Sequence, residues 1–258
     1  MLKAVIFDLD NTLINWDLAE PPESRETRRI KELLAFVHDN LCPIPEADPE
    51  KFFAIFSTNM GEAWMSGQQT MIAPSLKHIL AETLQSCCGV PEDKLDMDAV
   101  MQAYNWQAVQ GEQAFPDVLE VLPQIQKHGV ELGIITNSTH TMSDRDRELQ
   151  AFGLLELFPN CRIAAVDVGY LKPHRNIFDH ALKMLNIQPD EAVFVGDDLR
   201  ADIQGAQNAG MYAVLRVRDR EQALDQEDIV PDGMIISLHE LLPLLDAWYP
   251  GWRKGATP

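Results

Sequence analysis

The chain has 258 residues, 46% of them hydrophobic and 24% charged, which is the composition of a globular protein long enough to bury a sizeable core. Forty acidic against 21 basic side chains give a formal charge of −19, which opposes binding to nucleic-acid phosphates. No apolar run approaches the roughly 20 residues that span a bilayer, so neither nucleic acid nor membrane is an expected partner. Cys42, Cys87, Cys88 and Cys161 lack paired metal-ligand spacing and read as reduced thiols. The first apolar run, Ala4-Val5-Ile6-Phe7, meets Asp8 too soon to form a secretory leader, and a cytoplasmic location is expected.

In chain order, residues 3–9 read as a buried strand that ends in two acids flanking Leu9. From about residue 24 to 110 the pattern is helical, as in Ile30, Leu33, Leu34 and Val37, and again in Ile79 and Leu84. Breaks are expected at Cys42-Pro43-Ile44-Pro45, near Gly67, at Pro74 and at Gly89-Val90-Pro91, giving about four helices. After Phe115-Pro116 helix and strand alternate: a helix carrying Val118, Leu119, Leu122 and Ile125, a strand at 131–136, a helix at 144–152 and a strand at 163–166. A helix with Ile177, Phe178, Ala181, Leu182 and Leu185 follows, then a strand at 192–195, a helix at 199–209 closed by Gly210, and a strand at 212–215. A last strand at 234–236 leads into Ser237-Leu238-His239-Glu240, a capping-box pattern opening a leucine-rich helix.

Repeated βα units imply an α/β fold with a doubly wound parallel sheet. The expected domains are a core of residues 1–15 and 114–250, an inserted all-helical domain of 16–113, and a loose C-terminal tail of 251–258. Within the helical insertion, Met60, Trp64, Met65, Met71, Tyr104, Asn105 and Trp106 read as packing between helices, and Arg25, Arg28 and Arg29 as solvated positions.

Ligands of open parallel sheets bind beyond the carboxyl ends of the strands. Four such endings carry reactive side chains: Asp8-Leu9-Asp10-Asn11-Thr12, Thr136-Asn137-Ser138, Leu171-Lys172-Pro173 and Gly196-Asp197-Asp198-Leu199-Arg200-Ala201-Asp202. In this order the segments resemble the four motifs of the haloacid dehalogenase superfamily. The helical block between the first two resembles the cap of its C1-type members. Asn11 departs from the pattern, standing where many members have glycine.

The resemblance implies a Rossmann-like core with a helical cap, and a phosphatase that uses Mg²⁺ and passes through an aspartyl-phosphate. Asp8 would be the nucleophile, and Asp10 would protonate the leaving oxygen and then activate water. Thr136 and Lys172 would hold the phosphoryl oxygens, and Asn137 and Ser138 would line the phosphate pocket through backbone N–H groups. Mg²⁺ would take Asp8, the carbonyl of Asp10 and Asp197, with Asp198 as the next candidate and Asp202 ranked behind it. The implied substrate is a small phosphorylated metabolite, and the acidic surface suits a monomer or a homodimer. The alternatives are a phosphomutase of the same family, then a haloacid dehalogenase, which the acid at position 10 opposes, and a non-catalytic phospho-binding or signalling protein.

Overall fold

The computed structural model describes residues 1–16, 22–105, 113–219 and 228–254. Six parallel strands form one sheet: β1 (Ala4–Phe7), β4 (Glu131–Thr136), β5 (Cys161–Ala164), β6 (Ala192–Gly196), β7 (Tyr212–Arg216) and β8 (Gly233–Ile235), in the order β5-β4-β1-β6-β7-β8. Strand β1 is central, with Val5 in register with Leu132 on one side and Val193 on the other. Its uninterrupted apolar run follows from burial on both faces. Ala4 and Ile6 face a cluster with Ile177 and Phe178 of α8 (Arg175–Leu185) and with Ala206 of α9 (Gly205–Ala209). Val5 and Phe7 face Val121, Leu122 and Ile125 of α5 (Val118–Gln126), together with Leu149 of α6 (Met142–Ala151) and Leu241 and Leu245 of α10 (Leu241–Trp248). The sheet is thus doubly wound, and its order reverses beside β1, the point at which open parallel sheets bind their ligands.

Between β1 and β4 the chain builds α1 (Pro22–Asn40), α2 (Pro49–Thr70), α3 (Leu76–Cys88) and α4 (Met97–Tyr104). These helices enclose their own core of Ile30, Leu33, Val37, Phe52, Phe56, Leu80 and Val100. The chain leaves and re-enters the sheet layer through a two-stranded ladder of β2 (Ile14–Asn15) and β3 (Gln113–Ala114), which the pattern analysis did not foresee because two residues carry no periodicity.

Several boundaries differ from expectation. Gly67 does not break a helix: it lies inside α2, where a Cβ would come within 2.8 Å of the Ile72 carbonyl. Its role is a close approach of chain to chain, not a turn. Strand β5 ends earlier than predicted because Ala165–Val168 turns into a short helix, α7, closed by Gly169 at φ 81°. The predicted helix 199–209 is divided, Leu199–Gln204 forming a π-helix and α9 continuing it, a form frequent at functional sites. The tail beyond residue 250 is not loose through Trp252, which is buried, donates from Nε1 to Asp246 at 2.8 Å and meets the His128 ring edge-on. Residues 255–258 and Trp106 lie outside the described residues. Met65 is exposed, whereas Tyr104 is buried within the helical core as expected.

A buried ion pair braces the point where the chain re-enters the sheet layer. Arg216 on β7 donates to both oxygens of Asp117 at 3.0 Å and to the Thr12 carbonyl at 3.0 Å, and stacks 4.2 Å over Phe115. Asp117 also accepts from Ser237 Oγ at 2.8 Å and from the Leu238 N–H at 2.7 Å. Burial alone would raise its pKa, but Leu238, Arg216 and Ser237 outweigh it and hold Asp117 below the ordinary aspartate value of 3.8.

Two outcomes follow for stability. Gly67→Ala gains helix propensity but strikes a backbone carbonyl, and is expected to cost about 1–3 kcal/mol net, lowering the melting temperature by several degrees in a thermal scan. Asp117→Asn leaves Arg216 buried without its counter-ion, a loss of about 3–5 kcal/mol at neutral pH. Because the folded pKa of Asp117 is depressed, its contribution is present above pH 3.8 and falls away as pH drops through the folded value. Urea unfolding of parent and variant should therefore converge in acid, and a gap independent of pH would exclude the charged pair as the cause.

Candidate active site

Asp8 follows β1 directly, and its N–H donates to the Val195 carbonyl at 2.8 Å, so the strand ladder sets the direction of its side chain. Lys172 comes from the turn before α8 and is buried, its ammonium 2.5 Å from Asp8 Oδ1, 2.7 Å from Asp202 Oδ1 and 2.9 Å from the Ile135 carbonyl. Burial would discharge this lysine, yet Asp202 and Asp8 outweigh it and hold its pKa above the ordinary lysine range. Asp8 is pushed well above the usual aspartate value by burial, against the pull of Lys172 and with the repulsion of Asp202, Asp197 and Asp10.

Among the described residues, Asp8, Asp197 and Asp202 each present an oxygen within 4.8 Å of the others. Burial and the neighbouring Asp202 raise Asp197 to about 6, and Thr12 Oγ1 lies 3.5 Å from its Oδ1. Three carboxylates around one ammonium leave excess negative charge lined by hard oxygen donors, a donor set that suits Mg²⁺. Of Asp198 and Asp202, the π-helix brings Asp202 into the carboxylate group. Asp198 Oδ1 accepts from the N–H groups of Arg200 and Ala201 at 2.8 and 2.6 Å, a helix cap turned away from the cluster. Asp202, one turn later, points back and accepts from the Asp198 N–H at 3.0 Å through Oδ2. Only glycine permits this at position 196, where a Cβ would stand 2.3 Å from the Asp202 carboxyl.

The Asp10 side chain faces another way. Its Oδ1 accepts from Trp16 Nε1 at 3.0 Å and from Arg145 Nη2 at 2.7 Å, and its Oδ2 accepts from Thr136 Oγ1 at 3.1 Å. Burial would raise its pKa, but Arg145 above all, with Trp16 and Thr136, lowers it. Arg145 is buried with Glu148 2.6 Å from its Nε. Asn137 uses its side chain to clasp the backbone of Lys172, accepting its N–H at 2.8 Å and donating to its carbonyl at 3.1 Å. Ser138 is buried and accepts from the His140 N–H at 3.0 Å.

The structure thus brings Asp8, Lys172 and Asp197 together, with Asp202 in place of Asp198, and sets Asp10 and Thr136 beside them. Sequence reasoning missed Trp16 and Arg145. For Arg145 a signal existed: it shares the buried face of α6 with Met142, Glu148 and Leu149 at helical spacing. Arg25 and Arg29 were expected to be solvated, but both are buried, Arg25 lying 5.4 Å over the Trp16 ring and Arg29 5.7 Å over Tyr104. Aromatic faces replace water around them.

A family model of haloacid dehalogenase-like hydrolases matches residues 2–210. The chain is 30% identical over 249 residues to a glyceraldehyde 3-phosphate phosphatase of Methanopyrus kandleri, covering 95% of this chain and 97% of that protein. It is also 30% identical over 218 residues to a ribulose-1,5-bisphosphate 5-phosphatase of Halopiger xanaduensis, covering 83% and 84%. Among solved structures, a 2-haloacid dehalogenase from Pseudomonas syringae superposes with a TM-score of 0.65 at 26% identity, covering 96% of this chain and all of that one (100%). A HAD phosphatase from Thermococcus onnurineus superposes with a TM-score of 0.62 at 24% identity, covering 95% and 98%.

Removing Arg145 should release Asp10 toward ordinary acidity. In Arg145→Met combined with Glu148→Gln, which keeps the buried partner of Arg145 neutral, the Asp10 pKa is expected to rise, read by carbon-13 NMR of the carboxyl. An unmoved titration would show that Arg145 does not set it.

Proposed function

Because the chain belongs to the haloacid dehalogenase-like hydrolases, a hydrolase family with its match across residues 2–210, we propose that it hydrolyses the phosphoester of a small phosphorylated metabolite. The observation that carries this reading is the buried Lys172 ammonium held between Asp8 and Asp202, with Asp197 alongside. Relatives named as phosphatases of a triose phosphate and of a ribulose bisphosphate support a sugar-phosphate-like substrate.

In the proposed reaction an oxygen of Asp8 attacks phosphorus in line with the departing ester oxygen. The bond from phosphorus to that oxygen breaks, and Asp10 delivers a proton to it, leaving an alcohol and an aspartyl-phosphate on Asp8. Asp10, now a carboxylate, takes a proton from water as the water attacks the acyl-phosphate. Phosphate leaves and Asp8 returns as a carboxylate. The depressed pKa of Asp10 is compatible with the acid role because an arriving phosphate dianion adds negative charge beside it and favours its protonation. Lys172 fixes Asp8 and offsets phosphate charge, and Asn137, by clasping the Lys172 backbone, keeps the ammonium in line. Thr136 orients Asp10 through its hydroxyl. The Asp8, Asp197 and Asp202 carboxylates would hold Mg²⁺, which when bound neutralises charge on the phosphoryl oxygens.

A proton donor at position 10 supports phosphoryl transfer over carbon–halogen cleavage, since a departing halide needs no proton. No helix among the described residues is long and apolar enough to cross a membrane. Four free cysteines support a reducing, cytoplasmic setting.

The test is phosphate release from a panel of phosphorylated metabolites with and without Mg²⁺. Asp8→Asn is expected to lose at least about 10³-fold in kcat through loss of the nucleophile. Asp197→Asn should need several-fold more Mg²⁺ for half-maximal rate. Turnover that ignores both the metal and Asp8 would sink the proposal.

A further inference from the structure

Arg25 and Arg29 lie one turn apart on α1, and both are buried. Among the described residues the carboxylate between them is Glu26, whose Oε1 accepts from Arg25 Nε at 3.1 Å and from Arg29 Nη1 at 3.0 Å, while Tyr104 donates its hydroxyl to Glu26 Oε2 at 2.5 Å. Nη1 of Arg25 is buried without a hydrogen-bond partner among the described residues. A charged donor left in that state is costly, and an oxyanion of a ligand would satisfy it.

The position of this donor relates it to the reaction site. The Arg25 guanidinium lies over the Trp16 ring, and the same indole donates its N–H to Asp10. Arg145 reaches the same oxygen of Asp10 from the core side. His140, whose ring packs 6.2 Å from Tyr104, is kept neutral by burial and then by Arg145 and Arg29, with Arg25 adding to them and Asp10 opposing. The guanidinium fork matches the paired oxygens of a carboxylate or phosphate, which a hydroxyl cannot reproduce.

We infer that the substrate carries a second anionic group, a carboxylate or a second phosphate, a few carbons from the reacting phosphoester, and that this group seats against Arg25 beside the Trp16 indole. The inference rests on the phosphatase reading above and narrows its substrate class to phosphorylated acids and bisphosphates of short carbon chain.

The full chain with Mg²⁺ is assayed for phosphate release on two matched pairs: sn-glycerol 3-phosphate against 3-phosphoglycerate, and ribulose 5-phosphate against ribulose 1,5-bisphosphate. Only the distal group changes within each pair, to carboxylate in the first and to phosphate in the second, so the pairs tell the two anions apart. The anionic member of at least one pair is expected to have a kcat/KM about tenfold or more above its partner, mostly through KM. Arg25→Met should bring that ratio close to one, and Arg25→Lys, which keeps the charge but not the fork, should retain part of it. A ratio of one or below in both pairs, with good turnover of the monophosphates, overturns the second anion and leaves the phosphatase reading standing. No release from these four or from the wider panel overturns both. A preference undiminished in Arg25→Met, shown to be folded by circular dichroism, removes Arg25 from the recognition. Should that variant not fold, Arg25→Lys decides, and a ratio equal to the parent's counts against Arg25.

Discussion

The site depends on one ammonium group buried among carboxylates. Lys172 neutralises part of a cluster that would otherwise repel itself, and Asp8 and Asp202 in turn keep the lysine charged despite its burial. Neither side is stable alone, since a lone buried charge costs several kcal/mol. The backbone is adapted to the triad. Gly196 leaves room for the Asp202 carboxyl, the π-helix turns Asp202 back toward the strand end, and Asn137 holds the main chain of Lys172 through two hydrogen bonds. The carboxylates nevertheless outnumber the ammonium, and the leftover charge on hard oxygen donors is what a divalent cation would offset.

The two catalytic acids proposed here sit two residues apart in opposite surroundings. Asp8 is raised by burial and by its acidic neighbours, whereas Asp10 is lowered by Arg145, Trp16 and Thr136. Their separation follows from local geometry. The chain leaves the strand after Phe7 and turns at Asn11, where φ is 60°, so Asp8 meets Lys172 while Asp10 meets Arg145 of α6 and Trp16. Asparagine tolerates that left-handed backbone and fills the place where the motif usually has glycine.

The sheet was legible in the sequence because its strands are short apolar runs covered on both faces, and because reactive side chains sit where those runs end. The helical insertion was legible as a block through the periodicity of Ile30, Leu33 and Val37. What escaped was settled by contacts distant in sequence. Gly67 read as a break because a glycine needed for a close approach looks the same as one needed for a turn. Asp198 was placed ahead of Asp202 because a linear pattern does not show the π-helix that turns one onto a helix end and the other onto Lys172. Arg25 and Arg29 read as solvated because charge outweighs periodicity in a linear pattern, and the aromatic faces of Trp16 and Tyr104 that accept them come from elsewhere in the chain.

Arg216 fixes both strands of the passage to the helices, bonding the Thr12 carbonyl on the outgoing side and Asp117 on the returning side. Any swing of the helices against the sheet would therefore turn on the helical side of those anchors. Trp16 lies just past that pivot, and its indole bridges Arg25 and Asp10. The indole is thereby a mechanical reporter: moving it away would take a hydrogen bond from Asp10 and a stacking face from Arg25 in one movement. Access of substrate and the readiness of the acid that serves it would then be set by a single joint.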